Sequence, residues 1–392
     1  MNPQNQQQIE PSINNNYDVI IIGAGLGGLT AGAKLAKEGR KVLLVEQHYV
    51  VGGCATIFKR KDFTFEVGLH ELDGLHDKDP KKKVFAELGV FDHVEFIKID
   101  EFYRFKNNRI DFTIPADSEL AIAKLCQKFP HEKKGKAIGI ECESKPKKKF
   151  KQFFAQTIIA NAAIPNIVNL LPEPENNLLQ KQIKNCVAGC TFISIYLGFK
   201  KEISQLGNLS YSMFRFNDDI HSLDDININN TAEYEKRNFT FVDYSQIDSG
   251  LTPSGKSTGC FFLVDHLSDW EGLSLQEYKK KKESIYQIAL ERLEKEIPGI
   301  SEEVEHYEVA TSKTIQRYTL NPQGTPYGFA AIPSQVGLFR PPNKSPIPGL
   351  YFASSWTYPG HGFTGTIIAG YLCAREVHKF LNIKIQLKGI LR

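Results

Sequence analysis

The sequence predicts an α/β fold: a parallel sheet with helices on its faces and a second, mixed sheet set between its two halves. Three observations carry this expectation. Asp18-Val19-Ile20-Ile21-Ile22 is an apolar run of the kind found in a strand buried on both faces. A glycine-rich turn, Gly23-Ala24-Gly25-Leu26-Gly27-Gly28, follows directly and opens a helix. A second apolar run from Val42 to Val45 then ends in an acid, Glu46. Strand, turn, helix and acid-tipped strand make a Rossmann-like βαβ unit.

Each part of this unit has a physical role. Gly23 permits the tight turn, Gly25 lets backbone approach a pyrophosphate, and Gly28 lets the helix pack close to the strand. Ala24, Leu26 and Gly27 complete the loop. The helix N-terminus offers free N–H groups and the positive end of a dipole to phosphates. Leu29, Ala33, Leu35 and Ala36 supply the expected apolar positions of the helix, and Gly39 stops it. Glu46 can accept hydrogen bonds from both ribose hydroxyls of an adenosine. A dinucleotide site follows from these features together, since the glycine pattern alone is weak.

Composition bounds the rest. The chain has 392 residues, 24% charged and 41% hydrophobic, enough for two or three globular units. Its net charge of +3 makes no case for nucleic acid. No apolar run is long enough to span a bilayer, and the N-terminus lacks a signal-peptide layout. Residues 1–16 are polar, rich in Asn and Gln, and read as a disordered tail. The 7 cysteines (Cys54, Cys126, Cys142, Cys186, Cys190, Cys260, Cys373) form no CxxC pair, so neither a disulfide framework nor a zinc site is expected. Cys186 and Cys190 read as buried or edge thiols. A cytoplasmic protein with reduced cysteines is the resulting expectation.

Further along, residues 59–68 read as a turn and short strand, and 84–88 as a helix ended by Gly89. Residues 94–114 read as two strands around Lys106-Asn107-Asn108. A helix is expected over 119–129, and a hairpin from 137–141 and 153–160. Its basic turn, 145–151, is most simply a solvated loop. Residues 191–199 and 260–265 predict strands of a second sheet. Residues 278–297 predict a helix with Ile285, Ala289, Leu293 and Ile297 on one stripe and Lys279 to Lys282 exposed. Leu350 to Ala353 reads as a buried strand running into Tyr358-Pro359-Gly360-His361-Gly362-Phe363-Thr364-Gly365-Thr366, which opens the last helix.

Several blocks resemble known proteins. Glu46-Gln47, followed by Gly52-Gly53-Cys54-Ala55-Thr56, is similar to the second nucleotide motif of the flavin amine oxidase superfamily. There this loop lies along the FAD pyrophosphate and flavin. Val67-Gly68-Leu69-His70 resembles the segment that passes the flavin ring. Residues 155–163 resemble the strand and turn closing the FAD-domain hairpin, and 298–318 a C-terminal block. Residues 349–355, ending in Ser355, and Pro359-Gly360-His361-Gly362 resemble the last strand and flavin-binding helix. Together they resemble the phytoene desaturase, carotenoid isomerase and retinol saturase group. The resemblance implies FAD, an FAD-binding domain in parts (17–135, a hairpin at 136–172, and 319–392) and a substrate domain over 173–318. One departure stands out. In the family a long stretch separates the 119–129 helix from the hairpin; here only 130–136 fills it. The substrate domain therefore looks truncated. Either this is a compact natural form, or an internally deleted copy with impaired FAD binding.

In a flavoenzyme the protein supplies position and electrostatics. The last helix would point N–H groups at the flavin's pyrimidine end, with Gly360, Gly362 and Gly365 allowing close approach. His70, Glu71 and His361 are the weak candidates for proton transfer; structural or flavin contacts explain them at least as well. A delocalised polyene intermediate requires no strong side-chain base. Phe214, Phe216, Phe239, Phe241, Phe261, Phe262 and Trp356 suit an apolar cavity, though aromatics are more often core. A lipid substrate implies peripheral contact with a membrane surface, with Lys279–Lys282 and 145–151 as basic candidates. Three functions stay open: an FAD oxidoreductase or isomerase of a carotenoid- or retinoid-type lipid, a catalytically impaired FAD-fold protein, and an amine oxidase using Trp356 and Tyr358 as an aromatic cage.

Overall fold

The computed structural model describes residues 16–68, 71, 72, 74–77, 79–117, 120, 121, 154–247 and 249–390. The first apolar run is β1 (Asn16–Ile22), the glycine turn opens α1 (Leu26–Lys37), and the second run is β2 (Val42–Val45). A hairpin follows, β3 (Ile57–Arg60) and β4 (Phe63–Glu66), turned at Lys61 with φ 52°. Then come α2 (Pro80–Leu88), stopped by left-handed Gly89, β5 (Glu101–Lys106) and β6 (Asp111–Pro115). The remaining strands are β7 (Phe154–Ala160), β8 (Thr191–Phe199), β9 (Ser212–Arg215), β10 (Phe239–Asp243), β11 (Ser257–Asp265), β12 (Val304–Ala310) and β13 (Leu350–Phe352). The helices used below are α3 (Leu275–Glu296), α4 (Ser312–Thr319) and α5 (Gly362–Ile390).

Among the described residues, one sheet has the order β13-β7-β1-β2 with every pairing parallel. The other has the order β12-β8-β11-β10-β9-β5-β6 and is antiparallel except where β5 meets β9. This is the Rossmann-like parallel sheet with a mixed sheet beside it. On the parallel sheet, Val19 and Ile21 bury against Ala31 and Leu35 of α1 and Cys373, Ala374, Val377 and Leu381 of α5. On the mixed sheet, Ile193, Ile195, Leu197, Phe239 and Phe261 pack beneath Ile285, Ala289 and Leu293 of α3. Each valine, leucine, isoleucine or phenylalanine among them contributes about 1.5–3 kcal/mol when taken from water. A capping box fixes the start of α3, with Ser274 Oγ accepting from Glu277 N–H and the Glu277 carboxylate accepting from Ser274 N–H.

The structure corrects several expectations. β5 and β6 lie in the mixed sheet, so the 17–135 segment does not belong wholly to the FAD-binding unit. β7 has β1 and β13 on its two sides, both parallel. With both ladders filled, it cannot be the second arm of a hairpin. The expected first arm at 137–141, the 119–129 helix apart from residues 120 and 121, the junction at 130–136 and the basic run at 145–151 lie outside the described residues. On α1 the buried positions are Gly27, Gly28, Thr30, Ala31 and Leu35, while Ala33 and Ala36 are exposed. The helix turns its small-residue face inward because both β1 and α5 approach it there. Lys281 is no free surface cation: its Nζ donates to the Asp269 carbonyl at 2.6 Å and sits 4.9 Å from the Trp270 ring.

The aromatic residues fill packing positions rather than a cavity. Phe239, Phe241 and Phe261 are buried under α3, and Phe262 packs on the opposite face with Phe63 and Phe65. Phe214 lies 4.7 Å from Tyr103, and Phe216 stacks on Phe105 at 4.6 Å. Trp356 is buried edge-on against Phe329 at 4.6 Å.

Candidate cofactor site

The site begins at the carboxyl ends of β1, β7 and β13, where an open parallel sheet presents its loops. Gly23 has φ 95°, which only glycine adopts without strain. A Cβ on Gly28 would lie 2.1 Å from the Gly23 carbonyl oxygen, and one on Gly27 would lie 1.9 Å from the Ala353 carbonyl oxygen. Thus Gly28 closes the turn, and Gly27, whose role the motif did not specify, seats the helix against the end of β13. Asn161, just past β7, donates from Nδ2 to the Gly23 carbonyl at 3.2 Å and ties the turn to the central strand.

Gly25 is the N-cap of α1, and no side chain caps it. The first N–H groups of the helix have no intrahelical acceptor, which suits a phosphate. Glu46 closes the other side. Its Oε2 accepts from Ala24 N–H at 2.6 Å, and its Oε1 accepts from the N–H groups of Gln47 and His48, both at 2.9 Å. Three backbone donors hold the carboxylate at the mouth of the loop, with lone pairs to spare for ribose hydroxyls.

The Gly52-Gly53 loop packs directly on the fingerprint. Gly52 N–H donates to the Ala24 carbonyl at 2.8 Å, and a Cβ on Gly53 would meet Gly25 Cα at 3.2 Å. Ala55 N–H returns to the Gly52 carbonyl, and Val67 N–H donates to that of Thr56. A Cβ on Gly68 would lie 2.7 Å from Phe363 Cζ and 3.1 Å from the Cys54 carbonyl oxygen. So Cys54, Gly68 and Phe363, far apart in sequence, converge. Gly370 of α5 touches Gly27 of α1, its Cβ position being 2.2 Å from the Gly27 carbonyl oxygen. α5 begins eight residues earlier, so its N-terminus, with Gly362, Phe363 and Thr364, reaches roughly 12 Å beyond the crossing. One helix end at the fingerprint and another displaced from it by this distance suit an extended dinucleotide. Ser355 and Gly360 are buried beneath this helix start. The residues present fit FAD; Leu69 and His70 lie outside the described residues.

Tyr327 lies 5.6 Å from Phe192 and 6.1 Å from His361, both edge-on. Burial pushes the Tyr327 phenol well up, with nearby Cys190 and Cys54 adding to it. Cys190 is open to solvent, yet surrounding protein pushes its thiol up. On the mixed-sheet side, burial raises the Glu66 carboxyl. Its charge, with those of Glu71 and Asp243, adds to the burial that raises the Tyr211 phenol. Glu66, Tyr211 and Tyr327 were not singled out from sequence, and Cys190 was read only as a buried or edge thiol. Glu66 alone left a signal, as an acid ending a strand two residues before Gly68. Among the described residues, no cluster of His, Cys, Asp or Glu could hold a metal ion, and no helix is long and apolar enough to cross a membrane.

Fold and site together define an FAD-binding protein built on a Rossmann-like sheet. A family model described as an NAD(P)-binding Rossmann-like domain matches residues 21–88, and one described as flavin containing amine oxidoreductase matches residues 151–378. The chain belongs to the flavin-containing amine oxidoreductase family. Prolycopene isomerase of Arabidopsis thaliana is 24% identical over 92% of this chain and 82% of its own length. All-trans-retinol 13,14-reductase of Homo sapiens is 30% identical over 29% of this chain and 20% of its own. These relatives fall in the carotenoid isomerase and retinol saturase group that the sequence resembles. The alignment with the Arabidopsis protein runs over 506 positions against a chain of 392 residues, so more than a hundred of them have no counterpart here. Among solved structures, an oxidoreductase from Methanosarcina mazei superposes with a TM-score of 0.57 at 14% identity, covering 90% of this chain and 98% of that one. A putrescine oxidase variant gives 0.57 at 12% identity, covering 93% and 99%. Both share the fold.

Proposed function

We propose that this chain uses FAD to isomerise, saturate or desaturate a conjugated, apolar lipid of carotenoid or retinoid type. The observation that carries this reading is the likeness to prolycopene isomerases across 92% of the chain. The aromatic neighbours Phe192 and Tyr327, with Tyr327 also close to His361 beside the start of α5, are consistent with it.

Within this reading the chain's residues mainly position and exclude. Gly25 and the start of α1 bind the pyrophosphate, and Glu46 orients the ribose. Gln47, Gly52, Gly53, Ala55 and Thr56 shape the loop along the cofactor. Gly362, Phe363 and Thr364 at the start of α5 offer N–H groups to the flavin's pyrimidine end, where they stabilise negative charge on the ring. Bound FAD supplies electron or hydride exchange with the polyene. Tyr327 and Tyr211, held protonated by burial, can donate hydrogen bonds but are poor bases. Glu66, whose carboxyl is raised by burial, is a candidate for proton transfer beside them.

A second reading, an FAD-fold protein with impaired turnover, is favoured by the hundred or more positions that the longer relative carries. An amine-oxidase cage gains no support, because Trp356 is enclosed in the core against Phe329. The test is purification, a flavin spectrum, anaerobic reduction, and chromatography after incubation with poly-cis lycopene or all-trans-retinol. Converted polyene supports the first reading; bound flavin without conversion supports the second; no flavin spectrum after reconstitution refutes the first.

A further inference from the structure

Directly after Glu46 the chain places two exposed tyrosines around a half-buried histidine. Tyr49 is 87% exposed and Tyr318, on α4, is 50% exposed. The His48 ring lies 4.4 Å from Tyr49, tilted, and 5.7 Å from Tyr318, edge-on. His48 is itself fixed, because its N–H donates to Glu46 Oε1 at 2.9 Å. Gln47 ties the distant tyrosine in by donating from Nε2 to the Tyr318 carbonyl at 3.1 Å. The Arg317 guanidinium lies 5.6 Å from the Tyr318 ring.

An aromatic ring left almost wholly in water is unusual for a residue with so much apolar area. Tyr49 is such a ring, and it meets the half-exposed Tyr318 at one fixed histidine; the pair calls for an occupant, and its place identifies it. The carboxylate that fixes His48 is the one positioned for the ribose, so whatever base that ribose carries projects onto these rings. Flat bases stack on tyrosine without needing sequence-specific hydrogen bonds.

We propose that Tyr49 and Tyr318, braced by His48, form the platform on which the adenine of the cofactor stacks. This rests on the FAD reading of the same site and adds to it the residues that recognise the base. The platform binds the AMP half through ring faces, so it favours purines over nucleotides with small bases and tolerates changes at the purine edge.

The test is calorimetric titration of the full-length chain with ADP, using ribose 5-phosphate as a probe that lacks the base. Tyr49→Ala and Tyr318→Ala should each weaken ADP binding about tenfold, the scale of losing one stacked ring, and leave ribose 5-phosphate binding unchanged. Tyr49→Phe, which keeps the ring, should bind ADP like the wild type. ADP affinity unchanged in both alanine variants overturns the platform while leaving the FAD reading intact. Equal losses for ADP and ribose 5-phosphate also overturn it, since they indicate a disturbed loop. No ADP binding by the wild-type chain overturns platform and FAD reading together.

Discussion

Gly27→Ala offers a sharp test of how the cofactor half is assembled, because a second glycine on the same helix serves as its control. A methyl group at position 27 would lie 1.9 Å from the Ala353 carbonyl oxygen and 2.9 Å from Asn161 Oδ1. Ordinary contact begins near 3.4 Å, so the helix and the end of β13 must part by about 1.5 Å. The obstacle is backbone, not the tip of a flexible side chain, and α5 blocks retreat because Gly370 already touches the Gly27 carbonyl. Overpacking of this kind costs about 1–3 kcal/mol, and a backbone clash sits at the upper end. Alanine's helix propensity returns at most ~1 kcal/mol. The net expectation is a loss of about 2 kcal/mol. At Gly32 the same methyl would meet only Ile21 Cδ1 at 3.3 Å and Leu44 Cδ1 at 3.8 Å, both ends of side chains. Gly32→Ala should therefore be neutral or gain up to ~1 kcal/mol. Urea denaturation followed by circular dichroism measures both. If Gly27→Ala unfolds at the wild-type urea concentration, or Gly32→Ala falls as far as Gly27→Ala, the packing account is wrong.

Other expectations follow from the same geometry. Glu46→Gln replaces a carboxylate that accepts three N–H bonds with an amide offering one acceptor oxygen; ADP affinity should fall about tenfold or more, and unchanged calorimetric affinity would remove Glu46 from the site. Asp265→Asn should cost about 2–3 kcal/mol, because the buried carboxylate accepts from Trp270 Nε1, Tyr234 OH and Ser312 N–H; a change of less than about 0.5 kcal/mol in the unfolding free energy from urea titration would contradict this. The Glu66 carboxyl is raised by burial, so the folded state holds its proton more tightly than the unfolded chain does. Its stabilising contribution is complete below the ordinary glutamate range and disappears as pH rises through the raised folded value. Glu66→Gln should thus gain on the wild type as pH rises through that window; a pH-independent difference between the two would refute the assignment. Alkylation of Cys190 should keep accelerating above pH 9, because its thiol is accessible but raised; a rate that levels off near neutral pH in mass-spectrometric mapping would place the thiol elsewhere.

Local pattern carried much of this architecture. The run at 191–199 became β8 with its predicted bounds, since a continuous apolar stretch bounded by polar residues has one reading in a buried sheet. The βαβ unit and the start of α5 were equally legible, because glycines at strand ends report backbone demands that no other residue meets. Pairing was not legible. That β5 runs parallel to β9, across more than a hundred residues, depends on contacts that leave no periodicity in either segment. The same limit applied to Trp356 and the phenylalanines, where hydrophobicity announces burial but not whether the partner is a substrate or another ring. Ala33 and Ala36 illustrate it on a single helix: alanine suits an exposed face as well as a buried one, and only the approach of α5 selects Gly27, Ala31 and Leu35.

The strand order of the parallel sheet bears on how the protein is made. Its neighbouring strands come from the beginning, the middle and nearly the end of the chain, with β13 arriving only at Leu350–Phe352. During synthesis the mixed sheet has every strand available once β12 has emerged, whereas the cofactor half waits for β13 and α5 to leave the ribosome. A nascent chain halted before residue 350 could fold its mixed sheet and still lack the floor beneath the fingerprint loop. Premature termination near the C-terminus should therefore abolish flavin retention before it abolishes folding.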